Sequence, residues 1–366
     1  MLFLNMIEYE NLSKSNQPFE EEYRLAFERV LKSGRFVLGE HVAKFETAFA
    51  QFCSTRYCVG VGSGLDALVL ALNACDFPKG SEVIVPSNTF VATIWAVLHC
   101  GLTPVLAEPD QATYNLDPNG LPALITTKTK AIIAVHLYGK MCAMQAIMEL
   151  AREHQLMVIE DAAQAHGARY FGQKAGEIGH FGAFSFYPVK NLGALGDGGA
   201  VTVQNEQAYL QLKKARNYGS SQKYYYDTVG YNSRLDELQA AFLLVKLNKL
   251  QEINQHKRKL AAIYFEQLKE DFFLPVQEEG QEDVFHIFAV RHPERDRLRD
   301  YLLKKGVMTE IHYPVPPHQQ NALKPYFKKV SFPISENIHS TILSLPIAYH
   351  HTENDIAYVC DKMNGF

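Results

Sequence analysis

The sequence predicts a three-layer α/β domain with a mostly parallel central sheet and a smaller α+β domain after it. Two observations carry the prediction. From residue 56 to about 203, short apolar or β-branched runs alternate with longer amphipathic ones. The short runs are apolar along their whole length, as strands are when helices cover both faces of a parallel sheet. After Pro275 the texture changes to a strand–helix mixture of shorter pieces. A chain of 366 residues, 47% of them hydrophobic, has material for a large core and for more than one domain.

In order, RYCVGV (56–61) reads as a strand that ends in Gly62-Ser63-Gly64. LDALVLALNAC (65–75) follows as a helix, with Leu65, Leu68, Val69 and Leu72 on one side. EVIVP ends at Pro86 and leads into TFVATIWAVLHC; then come PVLAEP, AIIAVHLYG and the helical MQAIMELAREH. LMVIED, GAFSF and GAVTV complete the sheet. NEQAYLQLKKARN is helical, and the run from Arg234 to Glu270 is too long for one ordinary globular helix, so a break or a connecting helix is expected there. In the last part DVFHIFAVRH reads as a strand, ERDRLRDYLLKKG as a helix, MTEIHY as a second strand and TENDIAYVCDKM as a terminal helix. The division is placed at residues 1–250 for the large domain and 251–366 for the small one.

Composition excludes several classes. The net charge is −4 and the basic residues are dispersed, which argues against a nucleic-acid surface. The longest nearly apolar stretch, Thr89 to Gly101, is interrupted by His99 and is too short to span a bilayer. Six cysteines form no CxxC pair, and there is no signal-peptide pattern, so free thiols in a cytoplasmic protein are expected.

Four pieces fall where a parallel α/β sheet presents functional groups, at the carboxyl ends of strands. Gly62-Ser63-Gly64 joins a strand to a helix, whose N-terminus offers free N–H groups to a phosphate; such a turn is also often only a turn. Asp161 ends LMVIED and can hold a positively charged ring nitrogen, or can simply cap the next segment. Glu160 should face the other side of the strand, and His166 with one Asp does not make a metal site. Lys190 lies in GAFSFYPVKNLGALGDGGAV, where clustered glycines let the backbone approach a ligand. A lysine of depressed pKa there is a Schiff-base nucleophile, with plain phosphate contact as the alternative. Phe90, after EVIVP, can stack on a planar group or belong to the core. No GxxxxGK[ST] is present, which disfavours a P-loop nucleotidase, and no GxGxxG follows an early strand, which disfavours an NAD(P) oxidoreductase.

Together these pieces cease to be generic. The chain resembles the DegT/DnrJ/EryC1/StrS family of sugar aminotransferases from about residue 7 to its C-terminus. The matching strings are SGRFVLGEHVAKFETAFAQF (33–52), VGSGLDAL (61–68), VIVPSNTFVAT (83–93), VIEDAAQAHGA (158–168), FSFYPVKNLGALGDGGAV (184–201), ARNYGS (215–220) and GYNSRLDELQAA (230–241). The resemblance implies the PLP-dependent transferase fold (aspartate aminotransferase type, fold type I), with pyridoxal 5′-phosphate (PLP) as cofactor. It implies Lys190 as the residue that carries PLP as an imine, Asp161 as partner of the pyridine nitrogen, and Gln164 against the ring and its 3′ oxygen. Ser63, Gly64 and Ser185 would bind the phosphate and Phe90 would stack on the ring. Asn232 would reach the cofactor phosphate of the other subunit, in a homodimer with shared active sites. Family dehydratases carry histidine in place of the lysine; position 190 is Lys, which favours amino transfer.

FYPVKNLGALGDGG looks most like the subgroup that makes 3-amino-3,6-dideoxyhexoses. The implied reaction moves an amino group from L-glutamate to C3 of a dTDP-linked 3-keto-6-deoxyhexose. The alternative is C4 amination of a dTDP- or UDP-linked 4-keto-6-deoxy sugar, and an idle PLP-fold regulator is a third reading. Candidate substrate contacts are Tyr187, Tyr224, Tyr225, Arg234, His312 and Tyr313. Of these, His312 and Tyr313 stand in the proline-stiffened EIHYPVPPHQQ (310–320). The three phenols at 224–226 suit a nucleobase, a diphosphate or a subunit contact equally.

Overall fold

The computed structural model describes residues 6–366. Its centre is a seven-stranded sheet built from β1 (Tyr57–Val61), β2 (Glu82–Pro86), β3 (Thr103–Ala107), β4 (Thr129–Val135), β5 (Met157–Asp161), β6 (Phe181–Ser185) and β7 (Gly199–Val203). The spatial order is β1-β7-β6-β5-β4-β2-β3. β7 runs antiparallel to both of its neighbours, and every other pairing is parallel. The strands are apolar throughout because both faces are buried. Ile132 and Val158 point into one core with Phe45, Phe49 and Leu243, while the adjacent Ile133 and Ile159 point into the other with Leu68, Leu72 and Ile94. The expected mostly parallel three-layer arrangement is therefore present.

A second unit is built on β8 (Phe288–Arg291) and β9 (Ile342–Leu345), which pair antiparallel. Its core joins Phe288, Leu343 and Leu345 to Leu298 and Leu302 of helix Arg295–Lys304 and to Ile356 and Val359 of helix Glu353–Asn364. The long helical run breaks at residues 248–249, giving helices Glu237–Leu247 and Leu250–Gln267. The second of these connects the two units. Leu250 lies in the core of the large sheet, and Leu260 and Tyr264 lie in the core of the small one. The N-terminal segment also reaches the small unit, since Ile7 bridges Val307.

One expected strand is absent as such. MTEIHY makes only single bridges, because residues 307–310 change partner mid-run: Val307 pairs with Ile7 on one side and Glu310 with Ser344 on the other. The helix Pro333–Thr341, which precedes β9, was not anticipated from the sequence. Among the described residues no helix is long and apolar enough to cross a membrane.

Beneath the carboxyl ends of β4 and β5 sits a buried acid. Glu160 points away from the side that Asp161 faces, as the strand alternation requires. Its two oxygens accept from His136 Nε2 at 2.8 Å and from the N–H groups of Gly176, Ile178 and Gly179 at 2.9, 2.8 and 2.6 Å. Burial disfavours a charged His136, but its bonds to Cys142 and Glu160 outweigh that and hold its pKa up to about 10. The pair fixes the loop after β4 to the segment that leads into β6. Glu160→Ala would strand one imidazole and three N–H groups in the core. A loss of about 3–5 kcal/mol is expected, read as a lowered urea midpoint against wild type.

Candidate active site

A cavity of about 380 Å³ opens at the carboxyl ends of the strands. Residues following β1, β2, β4 and β6 line it, with Asp161 of β5 at its floor and His286, His312 and Tyr313 of the small unit forming the opposite wall. Ser63, Gly64, Phe90, Asp161, Gln164, Ser185, Tyr187 and Lys190 all line this one space, so the topology brings these sequence-expected residues together.

Asp161 ends its strand with a carboxylate that is only 6% exposed. Its Oδ2 accepts from Thr93 Oγ1 at 2.8 Å, and Oδ1 accepts from the Ala163 N–H at 3.3 Å. Thr93 in turn is 2.8 Å from Thr89, its neighbour one helical turn earlier. Burial raises the Asp161 pKa; the Thr93 and Ala163 bonds and the charge of Lys190 oppose it. A carboxylate in this state gains most from a cation placed against it.

Lys190 stands five residues beyond the end of β6, in a turn closed by its own N–H to the Tyr187 carbonyl at 2.9 Å. Glycine is required at 193, where a Cβ would sit 2.1 Å from the Pro188 oxygen. Nζ lies 3.3 Å from His286 Nε2. Burial lowers the lysine pKa to about 8, against the pull of Asp161. His286 is pushed well below the ordinary histidine value, first by burial and then by Lys190, so the ring next to the amine is neutral.

The turn after β1 forms a cradle. Ser63 caps helix Gly64–Ala74 by accepting the Asp66 N–H at 3.1 Å. Gly64 lies so close to Ser185 that a Cβ would stand 2.6 Å from the serine Cβ, and at Gly199 a Cβ would stand 2.3 Å from the Ser63 oxygen. Two hydroxyls and a helix N-terminus with free N–H groups thus converge on one end of the cavity, the arrangement that suits a phosphate. Ser233 locks the turn from outside, accepting from the Gly62 N–H at 3.0 Å and donating to Asp66 at 2.8 Å.

Gln164 ties the large unit to the small one. Its Oε1 accepts from the Tyr138 N–H at 2.6 Å and its Nε2 donates to the Tyr313 hydroxyl at 3.2 Å. The Tyr313 ring lies 5.4 Å from that of Phe90, which is half exposed toward the cavity. His312 is held by Ser344 at 2.9 Å, and burial lowers its pKa to about 4. His166 takes no part; it is buried beside Phe184 and Phe186. No group of three or more metal-ligating side chains occurs among the described residues.

Four expected residues lie outside this cavity. Tyr224 and Tyr225 belong to an exposed hairpin, Ser220–Gln222 with Tyr225–Tyr226. Arg234 donates to Asn217 Oδ1 at 2.9 Å and lies over the Tyr218 ring, and Asn217 bridges the exposed Asn232 through the backbone. Thr93, Trp95, Ser233 and His286 were missed. Thr93 had a signal, its i,i+4 spacing from Thr89 just past a strand end; His286 had none.

An amine with a pKa of about 8 becomes largely neutral as pH rises through that value, far below an ordinary lysine. Pulse acetylation of the cofactor-free chain across pH 6–11 should therefore show Lys190 half-reactive near pH about 8, read by peptide mass spectrometry. A midpoint near that of surface lysines contradicts this electrostatic description.

The whole chain has relatives with this architecture. It is 47% identical over 362 residues to the dTDP-3-amino-3,6-dideoxy-alpha-D-galactopyranose transaminase of Aneurinibacillus thermoaerophilus, covering 99% of each. Its fold matches S. venezuelae DesV, solved in complex with a ketimine intermediate, at a TM-score of 0.97 and 43% identity, covering 99% of this chain and 98% of that one. NtdA from Bacillus subtilis, solved with bound cofactor PMP, matches at a TM-score of 0.92 and 29% identity, covering 100% of this chain and 86% of that one. The profile of the DegT/DnrJ/EryC1/StrS aminotransferase family matches residues 18–364, and the chain belongs to that family.

Proposed function

We propose that the chain transfers an amino group from L-glutamate to C3 of a dTDP-linked 3-keto-6-deoxyhexose, with PLP as its cofactor. One observation carries the reading: a lysine with a pKa of about 8 and a buried carboxylate share a cavity that ends in a phosphate cradle. The residues fit the cofactor. Ser63, Gly64 and Ser185 would hold its phosphate, Asp161 its ring nitrogen, Gln164 its 3′ oxygen, Phe90 one face of its ring, and Lys190 its aldehyde carbon. When bound, PLP supplies an electron-withdrawing ring that stabilises the charge left when a proton leaves the donor Cα.

The protein groups do the rest. Asp161, fixed by Thr93, keeps a proton on the ring nitrogen by its negative charge. Lys190 Nζ, more readily deprotonated than an ordinary lysine, would take the proton from glutamate Cα and return it on the cofactor side. In the second half it runs the same transfer backwards and leaves the proton on sugar C3, beside the new nitrogen. Tyr187, His312 and Tyr313 face the cavity and suit sugar oxygens; His312 is neutral and offers no charge. C3 as the acceptor position rests on the likeness of the 184–201 string and on the named reaction of the Aneurinibacillus relative.

Asn232, Arg234 and the 224–226 hairpin lie outside this chain's own cavity. We infer that they serve a second copy, in a homodimer whose sites each take Asn232 from the partner. Exposed Phe36, Val37, Tyr218, Val229 and Tyr231 give apolar surface for such a contact.

Purified enzyme should show a visible absorption band that bleaches on adding glutamate. Lys190→Ala should abolish both the band and turnover. Asp161→Asn should keep cofactor and lose about 10²–10⁴-fold in kcat; near-wild-type turnover would remove Asp161 from its role. The substrate is tested with glutamate and, separately, dTDP-3-keto-6-deoxyglucose, dTDP-3-keto-6-deoxygalactose and dTDP-4-keto-6-deoxyglucose, locating the new nitrogen by NMR. Nitrogen found only at C4 overturns the C3 assignment and leaves the aminotransferase reading in place.

A further inference from the structure

Lys190 separates two cavities. Behind it, away from the active site, is a space of about 20 Å³ lined by Glu10, Asn191, Lys246, Lys257 and Tyr349 among others. Two further lysines thus converge on the rear of the Lys190 turn. Lys257 is 4% exposed and Lys246 is 5% exposed.

Lys257 belongs to helix Leu250–Gln267, the helix that connects the two units. Its Nζ donates to Asn191 Oδ1 at 3.1 Å and to the His286 carbonyl at 3.3 Å. Asn191 is the residue after Lys190, and His286 is the residue whose ring meets the Lys190 amine. Asn254, one turn before Lys257, holds the same asparagine from the other end, accepting from Asn191 Nδ2 at 2.9 Å. Both acceptors of Lys257 are neutral oxygens. A buried ammonium held this way is expensive, and a methionine of similar length would fill the space without that penalty. The charge therefore calls for a reason beyond packing.

Resting on the PLP reading above, we propose that Lys257 is a positioning residue for Lys190. It fixes Asn191 and His286 from behind the turn and places a positive charge there that favours the neutral Lys190 amine. The groups around Lys190 make the direction of the effect plain. Asp161 on β5 favours the Lys190 ammonium, and Glu10 of the N-terminal segment favours the charged forms of Lys246 and Lys257 behind it. A charged Lys257 opposes the Lys190 ammonium, since the repulsion between the two ammonium groups acts on both, while His286, His312 and His166 are all held neutral by burial and by Lys190. Burial is the first cause of the lowered pKa at both lysines, and at Lys257 the charge of Lys190 adds to it.

The test measures Lys190 without turnover. The full chain, freed of cofactor, is acetylated in pulses across pH 6–11 and Lys190 is followed by peptide mass spectrometry. Wild type is compared with Lys257→Met, Lys257→Gln and Lys257→Arg, each shown to be folded by thermal melting. The Met and Gln variants should raise the Lys190 midpoint by about one unit, leaving about tenfold less reactive amine at pH 7. The Arg variant keeps the charge and should follow wild type. Where the Met variant does not fold, the Gln variant, which retains a donor for Asn191, carries the test. An unchanged midpoint in the folded neutral variants overturns the proposal, and so does an Arg variant that shifts with them. Failure of the PLP reading would show separately, as a wild-type enzyme with no absorption band.

Discussion

A carboxylate and an amine of opposite charge, both withdrawn from water at one end of one sheet, set the terms for the rest of the structure. Asp161 pairs in register with Ala183 of β6, two residues before that strand ends and seven before Lys190. The parallel β5–β6 pair therefore delivers both groups to the same cavity. Each group pulls the other toward its charged form while burial pushes both toward neutrality. The result is a lysine that is readily deprotonated beside an acid that still benefits from a cation. Nucleophilic chemistry at an amine needs the first condition and binding of a protonated ring needs the second.

Holding that balance requires close backbone approaches, and the glycines are placed accordingly. Gly64 admits Ser185, Gly199 admits the Ser63 carbonyl, and Gly193 folds the lysine turn onto Pro188. A methyl group at any of these would meet backbone or Cβ atoms rather than the end of a flexible side chain. The turn after β1, the end of β6 and the start of β7 are thus fitted to one another, which explains why Ser185 of the hydroxyl-lined cradle and the lysine turn share a segment of chain. Glu160 and His136 hold the same region from the other face of the sheet.

Much of this was legible in the sequence because it is local. Asp161 ends an apolar strand, Lys190 follows another and is set among glycines, and Ser63–Gly64 sits at a strand–helix junction; each signal is confined to one short segment of the chain. Residues that meet only through tertiary packing were not legible. His286 lies 96 positions from Lys190 and sits in a run that reads as plain strand. Ser233 reaches Gly62 across 171 positions. The expected strand at 308–313 failed for a related reason: its apolar pattern was correct, but residues 307–310 have different partners on their two sides, and no period-2 pattern records such a change.

The two units contribute unequally to what the site can recognise. Ser63, Asp161, Ser185 and Lys190 line the cavity from the large sheet, whose strand ends are fixed by continuous hydrogen-bonded ladders. The opposite wall, His312 and Tyr313, comes from a proline-rich segment held by side-chain bonds: Ser344 to His312, the Tyr138 hydroxyl to the His312 carbonyl, Gln164 to Tyr313, and His339 Nδ1 to the Tyr313 carbonyl at 2.7 Å. That physical division suits a family in which one amine-transfer apparatus meets differently shaped sugars. The helix Leu250–Gln267 spans both parts, with Leu250 in one core, Tyr264 in the other and Lys257 against the lysine turn between them. One helix therefore packs in both cores and against the residue next to Lys190, so the two units and the lysine turn are joined by a single element.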